Sequence, residues 1–79
     1  MKTTRYFAER VLPRRPEVQQ VWCERALITP LRKVVQANGR IRFWIHVPEV
    51  RKYLRVVTLA DGVTIHNAFF DRNYKESTT

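Results

Sequence analysis

Arginine, histidine and aromatic residues alternate along the central part of this sequence. The runs Arg42-Phe43-Trp44-Ile45-His46 and Tyr53-Leu54-Arg55 place them at every second position, so one face of a β-strand would carry them together. An arginine guanidinium donates bidentate hydrogen bonds to phosphate oxygens, and an aromatic ring stacks on a nucleic-acid base. These residue types at this spacing therefore favour contact with a nucleic acid.

The same residues also have plain structural interpretations. Glu49 or Asp71 would pair with Arg42 or Arg55 in surface ion pairs, which are common and weak. His66 belongs to a segment predicted as a well-packed strand, where a structural histidine is the alternative to a catalytic one. The two interpretations differ in whether these side chains face an open surface.

The charge of the chain favours an anionic partner. Fifteen Lys and Arg residues against seven Asp and Glu give a net charge of +8 in 79 residues. That balance is typical of proteins that bind nucleic acid, an acidic protein or a membrane surface, and a solubilising basic surface is the alternative. The single cysteine, Cys23, excludes an intramolecular disulfide, and its mid-helix position indicates a small buried residue rather than a nucleophile.

Neither a membrane span nor a secretory signal is predicted. The apolar stretches are too short to cross a bilayer, and the first residues, MKTTRYFAERVLPRR, lack the apolar stretch of a signal peptide. A cytoplasmic protein without a membrane partner is therefore expected. Two histidines without a nearby acidic cluster are a weak ligand set, so no metal or cofactor is predicted.

The elements that would position these side chains are divided by prolines and glycines. A short helix ends before Pro13, and a second helix is predicted over about residues 16–28, within a helical layer of about 5–29. Four strands follow over about 32–70, and residues 71–79 are predicted as a frayed polar tail. The predicted fold class is α+β, a single domain over 1–79 with one or two N-terminal helices on one face of a four-stranded antiparallel meander.

Turn register sorts the strand residues onto two faces. We treat Asn38-Gly39 and Asp61-Gly62 as two-residue type I′ turns and allow four residues for the middle loop. The predicted core face comprises Val34, Ile41, Phe43, Ile45, Leu54, Val56, Ile65 and Phe69, covered by Val18, Val21 and Trp22 of the second helix. The predicted open face comprises Arg42, Trp44, His46, Tyr53, Arg55, Val57, Leu59, His66 and Phe70. In this register His66 lies opposite Val57, among the arginines.

Short segments of the chain also follow one another in a recognisable order. They are Glu9-Arg10, Ala26-Leu27-Ile28-Thr29-Pro30, Asn38-Gly39-Arg40 with Arg42-Phe43-Trp44, Tyr53-Leu54-Arg55-Val56-Val57 and Asn67-Ala68-Phe69-Phe70-Asp71-Arg72. In this order the chain resembles small bacterial domains related to the RelE/ParE-like and BrnT-like toxins. The resemblance implies a helix pair on one face of an antiparallel sheet and, in the ribonuclease members, RNA-cleaving residues on the other. Relatives often carry a histidine in an H-A-x-x-R pattern, near the position that Tyr6 has in this chain. They also have a closing Y-P-x-R motif, of which only the arginine is present here, as Arg72.

If the chain cleaves RNA, as the resemblance implies, its own residues supply the chemistry. The 2′-OH attacks the adjacent phosphate, and Arg42 and Arg55 would stabilise the charge that grows on the phosphoryl oxygens. His66, with an ordinary pKa of about 6.5, would act as general acid or base. The predicted catalytic residues of this metal-independent site are therefore His66, Arg55 and Arg42, and the predicted nucleic-acid contacts are Trp44, Tyr53, His46 and Arg72.

Two other functions compete with cleavage. A non-catalytic basic module would bind RNA, DNA or an acidic antitoxin-like protein, and an inert accessory domain would bind none of these. His66 on the basic face favours the enzyme, whereas the missing N-terminal histidine counts against it. RNA is the expected partner in either binding case, with an acidic antitoxin-like protein as the second candidate.

Overall fold

The helical part of the protein comes first in the chain. The computed structural model describes residues 1–75, beginning with a π-helix over Phe7–Val11 that continues into a 3-10 turn over Leu12–Arg14. Helix α1 follows over Gln20–Ile28. Phe7 and Val11 are buried in the hydrophobic core, whereas Tyr6 is half exposed.

Helix α1 begins at Gln20 rather than at Pro16, where the sequence predicted its start. Gln19 has an extended backbone, with φ −92° and ψ 140°, and acts as the N-cap residue. The Val18 amide donates to the Arg15 carbonyl at 3.0 Å and closes a separate turn. The proline therefore starts a turn before the helix and not the helix itself.

The late start of α1 changes which of its residues face the core. Trp22, Cys23 and Ala26 are buried, and Val21, predicted to be buried, is 53% exposed. Burial, with the charge of Glu24, raises the pKa of the Cys23 thiol to about 12. Because a neutral thiol is a poor nucleophile, Cys23 serves as a core residue, as the sequence indicated.

Four strands form one antiparallel sheet in the order β1-β2-β3-β4, which confirms the predicted α+β meander. The strands are β1 Arg32–Val35, β2 Ile41–Val47, β3 Lys52–Thr58 and β4 Ile65–Phe70. The N-terminal backbone lies along the outer edge of β4. There the Ile65 amide donates to the Lys2 carbonyl and the Thr4 amide donates to the Ile65 carbonyl, both at 2.9 Å. This short parallel bridge was not predicted.

One hydrophobic core lies between the helical layer and the inner face of the sheet. It comprises Phe7, Val11, Val18, Trp22, Cys23, Ala26, Ile41, Phe43, Ile45, Val47, Leu54, Val56, Ile65 and Ala68. Trp22 and Phe43, predicted to meet in this interface, are 4% and 3% exposed. Two predicted members, Val34 and Phe69, are absent from the core because the strand register differs from the prediction at both outer strands.

The β1–β2 hairpin turns through three residues instead of two. The Gln36 amide donates to the Arg40 carbonyl at 2.7 Å, and Gly39 is the residue of this turn with a left-handed φ, at 89°. A type I′ turn would need two such residues. Because a shift of one position exchanges the faces of a strand, Val34 lies opposite Arg42 on the open face of the sheet.

The β3–β4 hairpin has the predicted register at Thr58 and Ile65, which are paired. Beyond that pair the register shifts, so that Val57 faces Asn67 and not His66. His66 is the extra residue of a β-bulge. Its predicted pairing with Val57 is therefore wrong.

The bulge also exchanges the last two aromatic residues of β4. Phe69 pairs with Arg55 and lies on the open face, although the sequence predicted it in the core. Phe70, predicted on the open face, packs against the core with its ring centre 6.1 Å from that of Trp22. The exchange follows from one inserted residue, since side chains alternate with a period of two.

Candidate nucleic-acid interface

The central hairpin positions most of the predicted site residues as expected. Trp44 pairs with Arg55 and His46 with Tyr53, and Arg42 lies one step further along β2 on the same face. The four-residue middle loop predicted from the sequence is confirmed by this register. The structure thus brings together on the open face Arg42, Trp44, His46, Tyr53 and Arg55.

A straight row of alternating cations and aromatic rings crosses all four strands of this face. Direct cross-strand pairs join Arg32 to Trp44, Trp44 to Arg55, and Arg55 to Phe69. The guanidinium carbons of Arg32 and Arg55 lie 5.9 and 5.8 Å from the Trp44 ring centre, and that of Arg55 lies 4.4 Å from the Phe69 ring centre. Arg15 extends the row at 5.4 Å from Phe69. We call these five residues the cation–aromatic row.

Arg55 stands at the middle of this row with its hydrogen-bonding capacity partly unused. Its Nη1 is 3.8 Å from Asp71 Oδ2, an ion pair too long to be a hydrogen bond. Its Nε is buried and has no hydrogen-bond partner among residues 1–75. Burial lowers the pKa of the Arg55 guanidinium, Arg42 lowers it further and Asp71 opposes both. Arg55 therefore has an unused hydrogen-bond donor and a positive charge that Asp71 balances only in part.

The segment that follows β4 folds back over the row. The Trp44 Nε1–H donates to Asp71 Oδ2 at 3.1 Å, and the Asp71 amide donates to the Tyr53 carbonyl at 2.9 Å. The Tyr74 ring stacks on Trp44 with centres 5.3 Å apart and planes at 20°, and meets the Tyr53 ring edge-on at 5.0 Å. These contacts leave Trp44 only 6% exposed.

The sequence predicted a frayed tail over residues 71–79. Residues 71–75 instead pack as described, and residues 76–79 lie outside the described part of the chain. Burial favours the neutral form of the Asp71 carboxyl, but hydrogen bonds from Trp44 and the Asn73 amide and the charge of Arg55 outweigh it. Because the pKa of Asp71 is lowered as a result, the carboxylate is charged at neutral pH.

His66 lies apart from the predicted catalytic arginines. Its Nδ1 is 3.1 Å from the Thr4 hydroxyl oxygen, which also accepts the Phe7 amide, and its ring centre is 5.0 Å from that of Tyr6. Burial lowers the pKa of His66, and the charge of Arg40 adds to this effect. A neutral imidazole that accepts the Thr4 hydroxyl proton fits both observations. His66 thus joins the N-terminal segment to β4.

We expect His66 to make the folding stability depend on pH just below neutrality. Its pKa is lowered in the folded protein, so the unfolded chain binds more protons as the pH falls through about 6.5. Acidification from about pH 7.5 to 5.5 should therefore lower the melting temperature, and His66→Gln should flatten that slope. His46→Gln is the matched control and should keep it. A slope that is equal in both variants would contradict this account of His66.

Two grooves adjoin the cation–aromatic row at its Arg15 end. One has a volume of about 570 Å³ and is lined by Tyr6, Arg10, Val11, Arg14, Arg15 and Glu17. The other, of about 550 Å³, is lined by Arg15, Glu17, Arg51, Lys52, Tyr53, Phe70, Asp71, Arg72, Tyr74 and Lys75. The two grooves share Arg15 and Glu17 and so adjoin each other. We treat the two together as one track and call it the basic groove.

The charge of the basic groove is strongly unbalanced. Its cations are Arg10, Arg14, Arg15, Arg51, Lys52, Arg72 and Lys75, and its anions are Glu17 and Asp71. Tyr53 and Tyr74 supply aromatic rings within the same walls. Of the residues predicted from the sequence, Tyr53 and Arg72 lie here, whereas Arg42 lines a separate shallow depression beside the β1–β2 turn.

Sequence reasoning missed several residues of this surface. Arg15 lies just before the predicted second helix, and Arg32 precedes Val34, the first residue that the predicted register sorted onto a face. Arg51 was treated only as part of the four-residue middle loop, and Lys52, the residue after that loop, was assigned no role. An aromatic residue in an otherwise polar tail, Tyr74, was the one available signal that this tail packs on the sheet.

Comparison of the chain with family models, with curated proteins and with solved structures finds no match. The toxin-like resemblance therefore stays a prediction. Within residues 1–75, no helix has the length and apolar character needed to cross a bilayer. What the fold and the surface define is an α+β domain with a cation–aromatic sheet face and an adjoining basic groove.

Proposed function

We propose that this protein binds single-stranded RNA along the basic groove, without cleaving it. The observation that carries the proposal is the combination of seven cations, two anions and aromatic rings in one track. Phosphates would lie against the arginines and lysines, and unstacked bases would lie against Tyr53. Two adjoining grooves suit a chain of nucleotides better than a single small anion.

Arginine predominates among the cations of the track, with Arg10, Arg14, Arg15, Arg51 and Arg72 against Lys52 and Lys75. A guanidinium presents a planar fork of donors that matches two phosphate oxygens. No ion pair joins any of these seven side chains to a carboxylate within residues 1–75. Their charges are thus available to an external anion.

The proposal is limited to binding because the sequence-predicted catalytic arrangement lacks support. Cleavage would require His66 to reach a phosphate held by Arg42 and Arg55. The His66 ring contacts Thr4 and Tyr6 instead, where the N-terminal segment runs along the outer edge of β4. The ribonuclease hypothesis stays a prediction without the geometry on which it was founded.

The test is a titration of a fluorescent single-stranded RNA with two variants of equal net charge. Arg51→Gln with Arg72→Gln removes two groove cations, and Arg5→Gln with Arg25→Gln removes two cations that pair with Glu9 and Glu49 elsewhere. From the counterions released by two phosphate contacts, the groove variant should bind about tenfold more weakly at 0.15 M salt. The matched control should lose much less.

Three outcomes would count against the proposal. Equal losses in both variants would mean that net charge and not the groove governs binding. A polyglutamate that competes with RNA at equal charge concentration would favour an acidic protein partner. Shortened RNA after incubation, if abolished by His66→Ala, would restore the ribonuclease hypothesis.

A further inference from the structure

The cation–aromatic row has the composition of a nucleotide site but is covered by the protein's own chain. Tyr74 stacks nearly parallel on Trp44, at 5.3 Å and 20°, which is the arrangement that a base takes on an indole. Asp71 places a carboxylate on the Trp44 indole N–H and beside Arg55. One aromatic ring and one anion thus stand where a nucleotide would put its base and its phosphate.

From this arrangement we propose that Asp71 and Tyr74 occupy an RNA nucleotide subsite formed by Trp44, Arg55 and Arg32, and that a nucleotide binds there by displacing them. The proposal rests on the RNA binding proposed above and extends it from the basic groove onto the open face of the sheet. The base would stack on Trp44 in place of Tyr74. The phosphate would replace the Asp71 carboxylate.

The contacts of Asp71 leave part of the hydrogen-bonding capacity of the subsite unused, as expected of a side chain that occupies the place of a ligand. The carboxylate lies 3.8 Å from Arg55 Nη1, beyond hydrogen-bond distance, and the buried Arg55 Nε has no partner in the described chain. Burying a charged donor without a partner is costly, so such a group indicates a ligand or a strained contact. A phosphate offers more acceptor oxygens than the carboxylate does and could use this donor.

The charge around the subsite is likewise unbalanced. Arg32 and Arg42 lie on the same face and form no ion pair within residues 1–75, and Arg42 is close enough to Arg55 to lower its pKa. Asp71 is the carboxylate that this face receives from the folded-back segment. An incoming phosphodiester chain would meet three arginines, two of which have no counter-charge.

The segment is also placed so that it can move without disturbing the core. Residues 71–75 follow the last strand, and the ring contacts of Tyr74 within the described residues are with Trp44 and Tyr53 on the open face. The hydrophobic core lies on the opposite face of the sheet and does not include Tyr74. Displacement of Tyr74 therefore costs these two ring contacts and some burial but removes no residue from the core.

The experiment compares the affinity of a short oligouridylate for the full chain and four variants at 0.15 M salt. Tyr74→Ala should bind at least about threefold more tightly, because the internal competitor is weakened; a single aromatic pair is worth about three- to tenfold, and Tyr74 makes two ring contacts. Tyr74→Phe keeps the ring and should bind less tightly than Tyr74→Ala. Asp71→Asn should also tighten binding, by more than Glu17→Gln, which removes the other carboxylate of the basic groove.

A second measurement locates the nucleotide. Nuclear Overhauser contacts between base protons and the Trp44 ring are expected in the Tyr74→Ala complex, and an amide spectrum with wild-type dispersion shows that the variant is folded. If Tyr74→Ala and Asp71→Asn bind no more tightly than Tyr74→Phe and Glu17→Gln, while the Arg51/Arg72 variant is still impaired, the subsite is wrong and the basic groove stands. If RNA binds neither the wild type nor any variant, the proposed function fails as well.

Discussion

Truncation of Phe43 to alanine is expected to cost about 3–5 kcal/mol of folding free energy. Phe43 is 3% exposed and lies at the centre of the sheet, where the helical layer covers it. Removal of the ring leaves a cavity in addition to the lost transfer free energy, because the surrounding side chains relax only in part. At roughly 0.05–0.15 kcal/mol per residue, a domain of this size has little stability to spare.

The measurement is equilibrium unfolding in urea, followed by circular dichroism. Val21→Ala is the informative control, since Val21 is exposed on α1 and alanine favours helix, so its effect should be close to zero. The helix placement predicted from the sequence would make Val21 a core residue and its truncation costly. A loss below about 1 kcal/mol for Phe43→Ala would contradict the packing described here.

RNA affinity is expected to fall about 100-fold between 50 and 200 mM monovalent salt. For a single strand the logarithm of the binding constant falls by about 0.7 per phosphate contact for each tenfold rise in salt. The seven cations of the basic groove can engage about five phosphates at once, which gives a slope of about −3.5. The proposed function therefore predicts binding that is strong at low salt and weak above the physiological range.

The slope can be checked by fluorescence anisotropy at four or five salt concentrations. The variant with Arg51→Gln and Arg72→Gln should have a slope smaller in magnitude by about 1.4, whereas Arg5→Gln with Arg25→Gln should keep the wild-type slope. An affinity that hardly varies with salt would mean that the contacts are not made to phosphates, and the basic groove would lose its assigned role.

The strands show how much of the structure could be predicted from the sequence. The central hairpin was predicted residue by residue, because a four-residue middle loop pairs Ile45 with Leu54 and Trp44 with Arg55. The outer strands were predicted as strands, but their register was wrong in β1 and, in β4, beyond the pair of Thr58 and Ile65. The Asn38-Gly39 turn takes one extra residue, and nothing local in the sequence distinguishes that turn from a two-residue one.

The arrangement of the candidate site was predicted only for the residues that lie on the central hairpin. Trp44, Tyr53 and Arg55 share the open face as expected, whereas His66 is the unpaired residue of a bulge and contacts Thr4, more than sixty residues earlier. Such a contact between distant parts of the chain has no signature in a local pattern. The covering of Trp44 by Tyr74 is likewise a tertiary contact that periodicity cannot reveal.

The β-bulge at His66 means that the outer surface of β4 depends on which residue of this strand is left out of the pairing. If the bulge were lost and His66 paired with Val57, every later residue of β4 would change sides, so that Phe70 would face outward and Phe69 inward. Arg55 would lose its closest ring, and Asp71 would be drawn away from the Trp44 indole. Deletion of His66 itself would instead keep Asn67 opposite Val57 and Phe69 opposite Arg55, because it removes only the residue that the ladder leaves unpaired.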